Sequence, residues 1–185
     1  MIDTLAIKKY SLRYWVDRSQ AARKAAEELA MKEVKPSLRD KYKPEGLVFD
    51  LDGKMLEFKG EYEKKADGDI YFTYDEAMER FGEPNKDGWR LPTKEELGAL
   101  RDNYPYEFDK ENKQGIFDRR LYLPATGYRK ILGGVDYVGF EGDYWSFTPY
   151  GSYEAWALTF YLGGAYLQHY PRQNGFSVRL VRDAK

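Results

Sequence analysis

The sequence predicts an α+β domain in which two short helices are set among short antiparallel strands. Two segments carry helix-capping signals, and both stand within a chain of short apolar runs separated by Gly-containing turns. Such runs are typical of antiparallel strands, and the absence of a regular strand–helix alternation argues against a parallel sheet. With 185 residues, the chain suits one domain with a small extension.

Residues 4 to about 35 are predicted to form a helix that precedes this domain. Thr4 is a suitable N-cap, and Pro36 ends the helical pattern. Apolar residues recur at roughly helical spacing and give way to alanine in the second half, so the helix packs either on its own domain or on a partner copy. We assign residues 1–44 to an N-terminal helical extension and residues 45–185 to the main domain.

A hairpin is predicted at the start of the main domain. The segment GLVFDLDGKMLEFKG contains two short apolar runs around Asp52-Gly53, a dipeptide that two-residue hairpin turns favour. Further strands are predicted from about Arg119 onward, where runs rich in Tyr, Val and Phe alternate with Gly-containing turns.

Two helices are predicted between these strand regions. Thr73 with Glu76, and Thr93 with Glu96, have the spacing of a capping box, in which each side chain satisfies a free backbone N–H of the first turn. Gly82 is predicted to end the first of these helices.

Composition excludes several classes of function. Thirty basic and thirty-one acidic residues leave a net charge of −1, which gives no electrostatic sign of nucleic-acid binding. Without cysteine, the chain can form no disulfide, thiolate metal site or cysteine nucleophile. His169 is the single histidine, so multi-histidine metal sites are excluded, and we expect His169 to contact a partner.

The first twenty residues place charges among apolar residues, which is not the pattern of a signal peptide. No apolar run approaches the roughly 20 residues that a membrane span requires. We therefore expect a soluble protein that does not insert into a membrane and is not exported by the usual route.

The stretch of residues 142–183 differs in composition from the rest of the chain. Six of the seventeen tyrosines fall between Tyr144 and Tyr170. No lysine, aspartate or glutamate occurs from Ala155 to Arg182, in a chain that is 33% charged. Tyrosine suits a contact surface because it offers a large and fairly rigid area together with a hydroxyl group.

Within this stretch, the segment AWALTFY predicts a strand with two unlike faces. Successive side chains of a strand point to opposite sides. One set is large and apolar and predicts a core face, whereas the other is mixed in size and polarity and predicts an exposed face. The apolar set is Trp156, Leu158 and Phe160, and the mixed set is Ala157, Thr159 and Tyr161. We also expect Trp145, Phe176 and Val178 in the core.

Four motifs of the main domain stand in an order that resembles a known group of domains. They are GWRLPTKEEL at 88–97, YLPATGYR at 122–129, YWSFTP at 144–149 and NGFSVRLVRD at 174–183. Together they look like the C-type-lectin-like domains of the group that includes formylglycine-generating enzymes, the FISUMP domain of gut bacteria and the variable proteins of diversity-generating retroelements. The resemblance covers residues from about 45 to 183 and implies a C-type-lectin-like fold.

Within this group, the chain most resembles the retroelement variable proteins, in which error-prone copying of template adenines writes hypervariable positions near the C-terminus. Asparagine codons mutated at their adenines yield Tyr, Phe, Ser, Thr, Ala, His, Leu, Gly and Pro, but never Lys, Glu, Gln, Met or Trp. The resemblance implies a variable region over about residues 144–182. Its ligand-binding positions, all of permitted types, are Phe147, Tyr150, Tyr153, Ala157, Thr159, Tyr161, Ala165, Tyr166, Leu167, His169, Tyr170 and Pro171.

The resemblance implies a binding protein without catalytic activity, cofactor or metal. We expect a host-recognition protein at the tip of a phage or prophage tail, located in the virion or in the bacterial cytoplasm before assembly. Its tyrosine-rich surface would bind a protein or glycan receptor on a bacterial surface. Such proteins are commonly oligomeric, so the N-terminal helix could support a homotrimer or join the domain to a tail fibre.

Two other interpretations stay open, and a third is disfavoured. The chain could be a bacterial surface adhesin of the FISUMP type, or a binding module with one fixed partner and no diversification. A third interpretation is an enzyme related to formylglycine-generating enzymes, but these act through cysteines, which this chain lacks.

Arg90 and Arg129 are predicted to make internal hydrogen bonds that tie loops together.

Overall fold

The computed structural model describes residues 47–184, which form an α+β domain of two helices and eleven strands, as the sequence predicts. The predicted N-terminal extension lies outside the described residues. The helices are α1, Tyr74–Phe81, and α2, Lys94–Asn103. The strands are β1, Val48–Leu51; β2, Lys54–Phe58; β3, Tyr106–Asp109; β4, Gln114–Phe117; β5, Leu121–Pro124; β6, Tyr128–Arg129; β7, Val135–Asp136; β8, Glu141–Tyr150; β9, Glu154–Tyr161; β10, Gly164–Pro171; and β11, Val181–Asp183.

These strands form small antiparallel sheets. Three sheets have three strands each, in the orders β1-β2-β11, β10-β9-β8 and β3-β4-β5, and β6 pairs with β7. After the first hairpin and the two helices, strands resume at Tyr106, earlier than the predicted position near Arg119. The prediction missed β3 and β4 because polar residues interrupt their apolar pattern. Neither helix within the described range is long and apolar enough to cross a membrane.

The predicted hairpin is confirmed, with β1 and β2 joined by a two-residue turn. Leu51 pairs with Lys54, and Asp52 and Gly53 between them have φ values of 56° and 85°. Both values lie in the left-handed region, as the turn type favoured in hairpins requires. Strand β11 pairs with the other side of β2, so the last strand closes the sheet that the hairpin begins.

Both capping boxes are confirmed. Thr73 caps α1 and Thr93 caps α2, and in each case the hydroxyl accepts from the backbone N–H of the glutamate three residues later. The glutamate carboxylates, Glu76 and Glu96, accept in turn from the backbone N–H groups of the threonines. Gly82 is the C-cap of α1, as predicted, although it keeps a right-handed helical conformation with φ −64°.

The sheet of β8, β9 and β10 lies between two hydrophobic cores. The α2 core contains Leu97 and Leu100 of helix α2 together with Tyr144, Leu158 and Phe160 of the sheet. The α1 core joins residues of helix α1 to the other side of the sheet. Its members include Tyr74, Ala77, Trp145, Ala155, Ala157 and Phe176. We call the two sides of the sheet the α2 face and the α1 face.

Phe160 lies in a slot that two glycines leave open. A Cβ atom at position 142 would lie 2.2 Å from Cζ of Phe160, and one at position 115 would lie 2.7 Å from Cδ2. Gly142 pairs with Phe160 across β8 and β9, whereas Gly115 belongs to β4. Only residues without a side chain allow the ring to fit between these strands.

The four motifs that carry the family resemblance meet in space. The first and last are joined by a β-bridge between Arg90 and Val181. Trp145 in the third motif donates its backbone N–H to the carbonyl oxygen of Ser177 at 3.1 Å. Arg129 in the second motif forms a β-bridge to Gly175. The motifs thus form one connected framework that includes strand β8 of the sheet.

Candidate ligand-binding surface

Strand β9 is buried on both faces at its centre, which corrects the predicted exposed face. Ala157 is fully buried and Thr159 is 3% exposed, although both were expected to face solvent. The α1 core covers this side of the sheet, so the mixed side chains fill space against a second layer. Trp145, Leu158 and Phe160 are buried as predicted. The prediction of exposure holds for Tyr161 at the end of the strand.

At one end of the α2 face, three aromatic side chains form what we call the His169 cluster: Tyr150, Trp156 and His169. The rings of Tyr150 and His169 stack with centroids 3.9 Å apart and planes at 17°. Trp156 meets both rings edge to face, at 5.4 Å from Tyr150 and 5.3 Å from His169. Trp156 was predicted to belong to the core, but it is only half-buried, because the α2 core ends before it reaches this position.

Two opposite charges border the His169 cluster. Lys94, at the start of α2, places its ammonium group 3.8 Å from the centroid of the Trp156 ring, within cation–π range. The backbone N–H of Lys94 donates to the Thr148 hydroxyl at 3.0 Å, which fixes the helix start against β8. A carboxylate oxygen of Glu154 lies 2.9 Å from Nδ1 of His169. The cluster therefore offers an aromatic surface with a donor and an acceptor at its edges.

Tyr161 and Tyr166 lie on the α1 face, toward the other end of the β9–β10 hairpin. Their rings stack with centroids 5.4 Å apart, and both are exposed. The Tyr166 hydroxyl donates to the carbonyl oxygen of Gly163 at 3.0 Å, which holds the ring across the turn. Trp156 and Tyr161 are five residues apart, a distance of about 17 Å along an extended strand. The predicted positions therefore form two separate exposed groups.

The remaining predicted positions fall between or beside these groups. Tyr153, in the turn between β8 and β9, is 80% exposed. Five others are half-buried: Phe147, Ala165, Leu167, Tyr170 and Pro171. Among them, Phe147 and Tyr170 pack on the α1 core, and Ala165 and Leu167 pack on the α2 core.

A buried carboxyl group, Asp143, lies on the α1 face beneath the exposed edge of β10. Its Oδ1 accepts from the Thr159 hydroxyl at 2.7 Å, and that hydroxyl lies 2.9 Å from the hydroxyl of Tyr170. The Tyr170 hydroxyl in turn lies 3.0 Å from the side-chain amide of Gln168, which is exposed. A continuous line of hydrogen bonds thus joins a buried acid to the surface.

Asp143 is poorly stabilised as an anion. Within residues 47–184, its buried Oδ2 atom receives no hydrogen bond from an N–H or hydroxyl group, and its other side-chain neighbour, Glu141, is also an acid. Burial raises the pKa of Asp143 well above its usual value; the Thr159 hydroxyl opposes this rise, and the carboxylate of Glu141 adds to it. Burial also raises the pKa of Tyr170 to about 12, and the acidic groups Asp143 and Glu141 contribute.

Glu96, a buried residue of helix α2, has the opposite surroundings. Arg90 donates to both of its carboxylate oxygens, at 2.8 and 2.7 Å, and Lys54 donates at 3.1 Å. Burial alone would raise the pKa of Glu96, but the hydrogen bonds from Arg90 and from the backbone of Thr93 lower it below its usual value. The predicted internal role of Arg90 is confirmed, as is that of Arg129, which forms a bidentate pair with Asp69 at 2.7 and 2.9 Å.

The structure adds residues that the sequence prediction missed. Trp156 belongs to the His169 cluster, and Lys94 borders it. Phe140 and Leu162 are apolar residues near the Tyr161–Tyr166 pair in sequence and strand pairing, and their side chains are 73% and 61% exposed. Phe140 immediately precedes β8, whose first residue pairs with Tyr161. Trp156 was missed because its position in the strand assigned it to the core, and Lys94 because it lies outside the predicted variable region of about residues 144–182. Phe140 stands alone between Gly139 and Glu141 and therefore gave no apolar pattern.

Residues 107–181 match the model of a family described as a domain of unknown function, DUF8237. The matched segment begins within β3, includes the whole sheet of β8, β9 and β10, and ends at the first residue of β11. The first hairpin and both helices lie outside it. No curated protein and no solved structure matches the chain.

Proposed function

We propose that this chain is a receptor-binding protein whose ligand surface lies on the β9–β10 hairpin and the adjoining end of β8. The observation that carries the proposal is the His169 cluster, in which three aromatic rings stand at the surface in a fixed mutual geometry. Their stacking reduces the conformational entropy that binding would cost, and aromatic residues of this kind supply much of the energy of protein interfaces.

The proposal includes a C-type-lectin-like fold. The four motifs that resemble this group are linked by backbone hydrogen bonds and bridges, as expected if they are the framework of one fold. The exposed aromatic residues lie on a hairpin supported by that framework. A rigid sheet that carries variable surface positions is a favourable basis for ligand recognition.

The proposed ligand is a receptor on a bacterial surface, and the chain is proposed to act in a phage or prophage tail tip. The low charge of residues 155–182 supports a contact role, because few charges lose their hydration when a partner binds. The mixture of aromatic rings with Lys94 and Glu154 suits either a protein or a glycan receptor. A bacterial adhesin would use the same surface and differ in gene context.

A binding assay tests the surface directly. The fluorescently labelled full chain is incubated with a panel of intact bacterial strains, and binding is measured by flow cytometry. We expect the double variant Tyr150→Ser/His169→Ser to lose at least about ten-fold in affinity, equivalent to about 1.4 kcal/mol. Met55→Ser, an exposed apolar position on the first hairpin, is the matched control and should bind as the wild type does.

Treatment of the cells distinguishes the two receptor classes. Protease treatment should abolish binding to a protein receptor, and periodate oxidation should abolish binding to a glycan. Equal binding by the wild type and the double variant on every strain that binds would exclude the His169 cluster as the ligand surface.

The coding DNA tests the proposed diversification separately. A retroelement requires a near-copy of the segment that encodes about residues 144–182, with differences at adenines of the copy, beside a reverse transcriptase gene. Neighbouring tail genes would favour the phage version over the adhesin. A coding region with no such repeat would leave a binding module with a fixed partner.

A further inference from the structure

The hydrogen bonds between Asp143 and Gln168 cannot all form without a further proton. Three contacts join four groups in series: Asp143 to Thr159, Thr159 to Tyr170, and Tyr170 to Gln168. Each contact requires one proton between its two heavy atoms, but the two hydroxyl groups supply only two. The third proton must come from one end of the series.

Two arrangements satisfy all three contacts. In the first, Asp143 carries its proton on Oδ1 and donates it to Thr159, Thr159 donates to Tyr170, and Tyr170 donates to the amide oxygen of Gln168. In the second, Asp143 is ionised and every bond is reversed, so the amide nitrogen of Gln168 donates to Tyr170. The oxygen and nitrogen of an amide are nearly equal in size, so the Gln168 side chain can occupy the same place in either orientation.

We propose that Asp143, Thr159, Tyr170 and Gln168 form a proton-linked wire, in which the ionisation of the buried carboxyl group decides whether Gln168 presents a donor or an acceptor to a partner. With Asp143 neutral, the amide NH₂ group faces outward and suits a ligand acceptor such as a carbonyl oxygen. With Asp143 ionised, the amide oxygen faces outward and suits a ligand donor. Gln168 is thereby a specificity-determining residue that the pH can switch.

The surroundings of Asp143 favour the neutral arrangement over an unusually wide pH range. An ionised carboxylate at this depth would have one hydroxyl donor, and its second oxygen has no donor among the described residues. The titratable groups that interact with it are Glu141 and Tyr144 on its own strand, Tyr128 on β6 and Tyr170 on β10. All of these are acids, so none supplies a positive charge that would stabilise the anion.

The wire itself does not depend on the proposed function, whereas its consequence for ligand choice does. Nuclear magnetic resonance of the full chain without ligand tests the wire alone. The side-chain carboxyl carbon of Asp143 and the side-chain amide nitrogen of Gln168 are followed from acidic to mildly alkaline pH. We expect both shifts to change with one common midpoint, above the ordinary aspartate range.

Substitutions then cut the wire at defined places. Thr159→Val retains the shape of the side chain but removes the hydroxyl, so Asp143 should still titrate while Gln168 no longer follows it. Tyr170→Phe is a second cut with the same expected result, and it serves if Thr159→Val does not fold. Asp143→Asn removes the ionisable group and keeps the shape of the side chain, so the Gln168 shift should no longer change with pH.

Glu141→Gln is the matched test of the neighbouring charge, because it removes a carboxylate beside Asp143 but leaves the wire intact. The substitution should lower the common titration midpoint of the Asp143 and Gln168 shifts. The proposal is overturned if Asp143 titrates in its ordinary range, if Gln168 does not follow it, or if Gln168 still follows after either cut. A chain that passes these tests but binds no bacterial cell would refute the proposed function and leave the wire standing.

Discussion

Two buried carboxyl groups on opposite sides of one sheet are held in opposite states. Glu96, on α2, accepts from two nitrogens of Arg90, from Lys54 and from the backbone of Thr93. Asp143, on β8, accepts from a single hydroxyl group. Burial acts on both in the same direction, so the number and charge of the donors decide the outcome. The start of helix α2 is therefore held by an anion, whereas the α1 face of the sheet contains an acid whose pKa is raised.

The largest expected effect comes from removing the largest fully buried side chain, which belongs to the α1 core. Trp145 is fully buried, stacks on Phe176 at 4.2 Å and donates its indole N–H to the carbonyl oxygen of Phe72 at 2.8 Å. Trp145→Ala should lower the free energy of unfolding by about 3–5 kcal/mol, as measured by urea denaturation. Trp156→Ala is the matched control and should cost less than half as much, since Trp156 is only half-buried. Equal losses would contradict the assignment of Trp156 to the surface.

The second-largest effect is expected at the start of helix α2. Glu96→Gln breaks the pair with Arg90 and should lower the free energy of unfolding by about 2–3 kcal/mol at neutral pH. Because the folded-state pKa is lowered, this contribution is complete above the usual pKa of about 4.3 and is lost as the pH falls through the folded value. The difference in the free energy of unfolding between wild type and variant should therefore become smaller at acidic pH.

Glu95→Gln is the control for this substitution, since Glu95 lies in the same helical turn but is exposed. It should change the free energy of unfolding by less than about 0.5 kcal/mol. If the free energy of unfolding lost in Glu96→Gln does not change with pH, then lost packing, and not the ion pair, causes the effect.

A smaller effect of opposite sign is expected on the α1 face. The folded-state pKa of Asp143 is raised, so the folded chain binds this proton more tightly than the unfolded chain does. Its contribution to stability is complete below the usual pKa and is lost as the pH rises through the folded value. Compared with Asp143→Asn, the wild type should therefore become progressively less stable as the pH rises, in urea denaturation at a series of pH values.

This change in the free energy of unfolding should be smaller than that for Glu96→Gln, because Asp143 avoids the cost of a buried negative charge by keeping its proton. Asp87→Asn, at an exposed loop position, is the control for loss of an aspartate and should change the free energy of unfolding by less than about 0.5 kcal/mol. A difference between wild type and Asp143→Asn that stays constant with pH would mean that Asp143 is no harder to ionise in the folded chain.

The smallest effects should come from the exposed aromatic residues. Tyr153→Ser, at a side chain that is 80% exposed, should change the free energy of unfolding by less than about 0.5 kcal/mol. Tyr150→Ser also loses the stacking on His169 and should cost about 0.5–1.5 kcal/mol. Thermal unfolding monitored by circular dichroism would reveal the difference, and a larger loss for Tyr153 would place that residue in a core.

The parts of the fold that were predictable depend on neighbours in sequence. The turn at Asp52-Gly53 and the capping boxes at Thr73 and Thr93 were predicted because the groups that bond are two or three residues apart. The burial of Ala157 was not predictable, since it depends on a second core that covers the opposite side of the sheet. Strand periodicity indicates which side chains share a face but not whether that face is covered.

The same limit applies to the candidate site. The composition of residues 142–183 indicated a contact surface, but the division into two exposed groups follows from the register of β9 with β10 and from where each core ends. The buried acid beneath Gln168 gave no sequence signal, because an aspartate in a strand near a turn is usually solvated. Its state depends on the few donors that the folded chain brings near it.

The slot around Phe160 has a consequence for motion. The backbones of Gly142, on β8, and of Gly115, on β4 of another sheet, lie close against the Phe160 ring and restrict its rotation by half a turn. Each rotation requires one of these backbones to move briefly away from the ring. The rate at which the two edges of this ring exchange therefore reports how often the sheet opens, and ligands that tighten the hairpin should slow it.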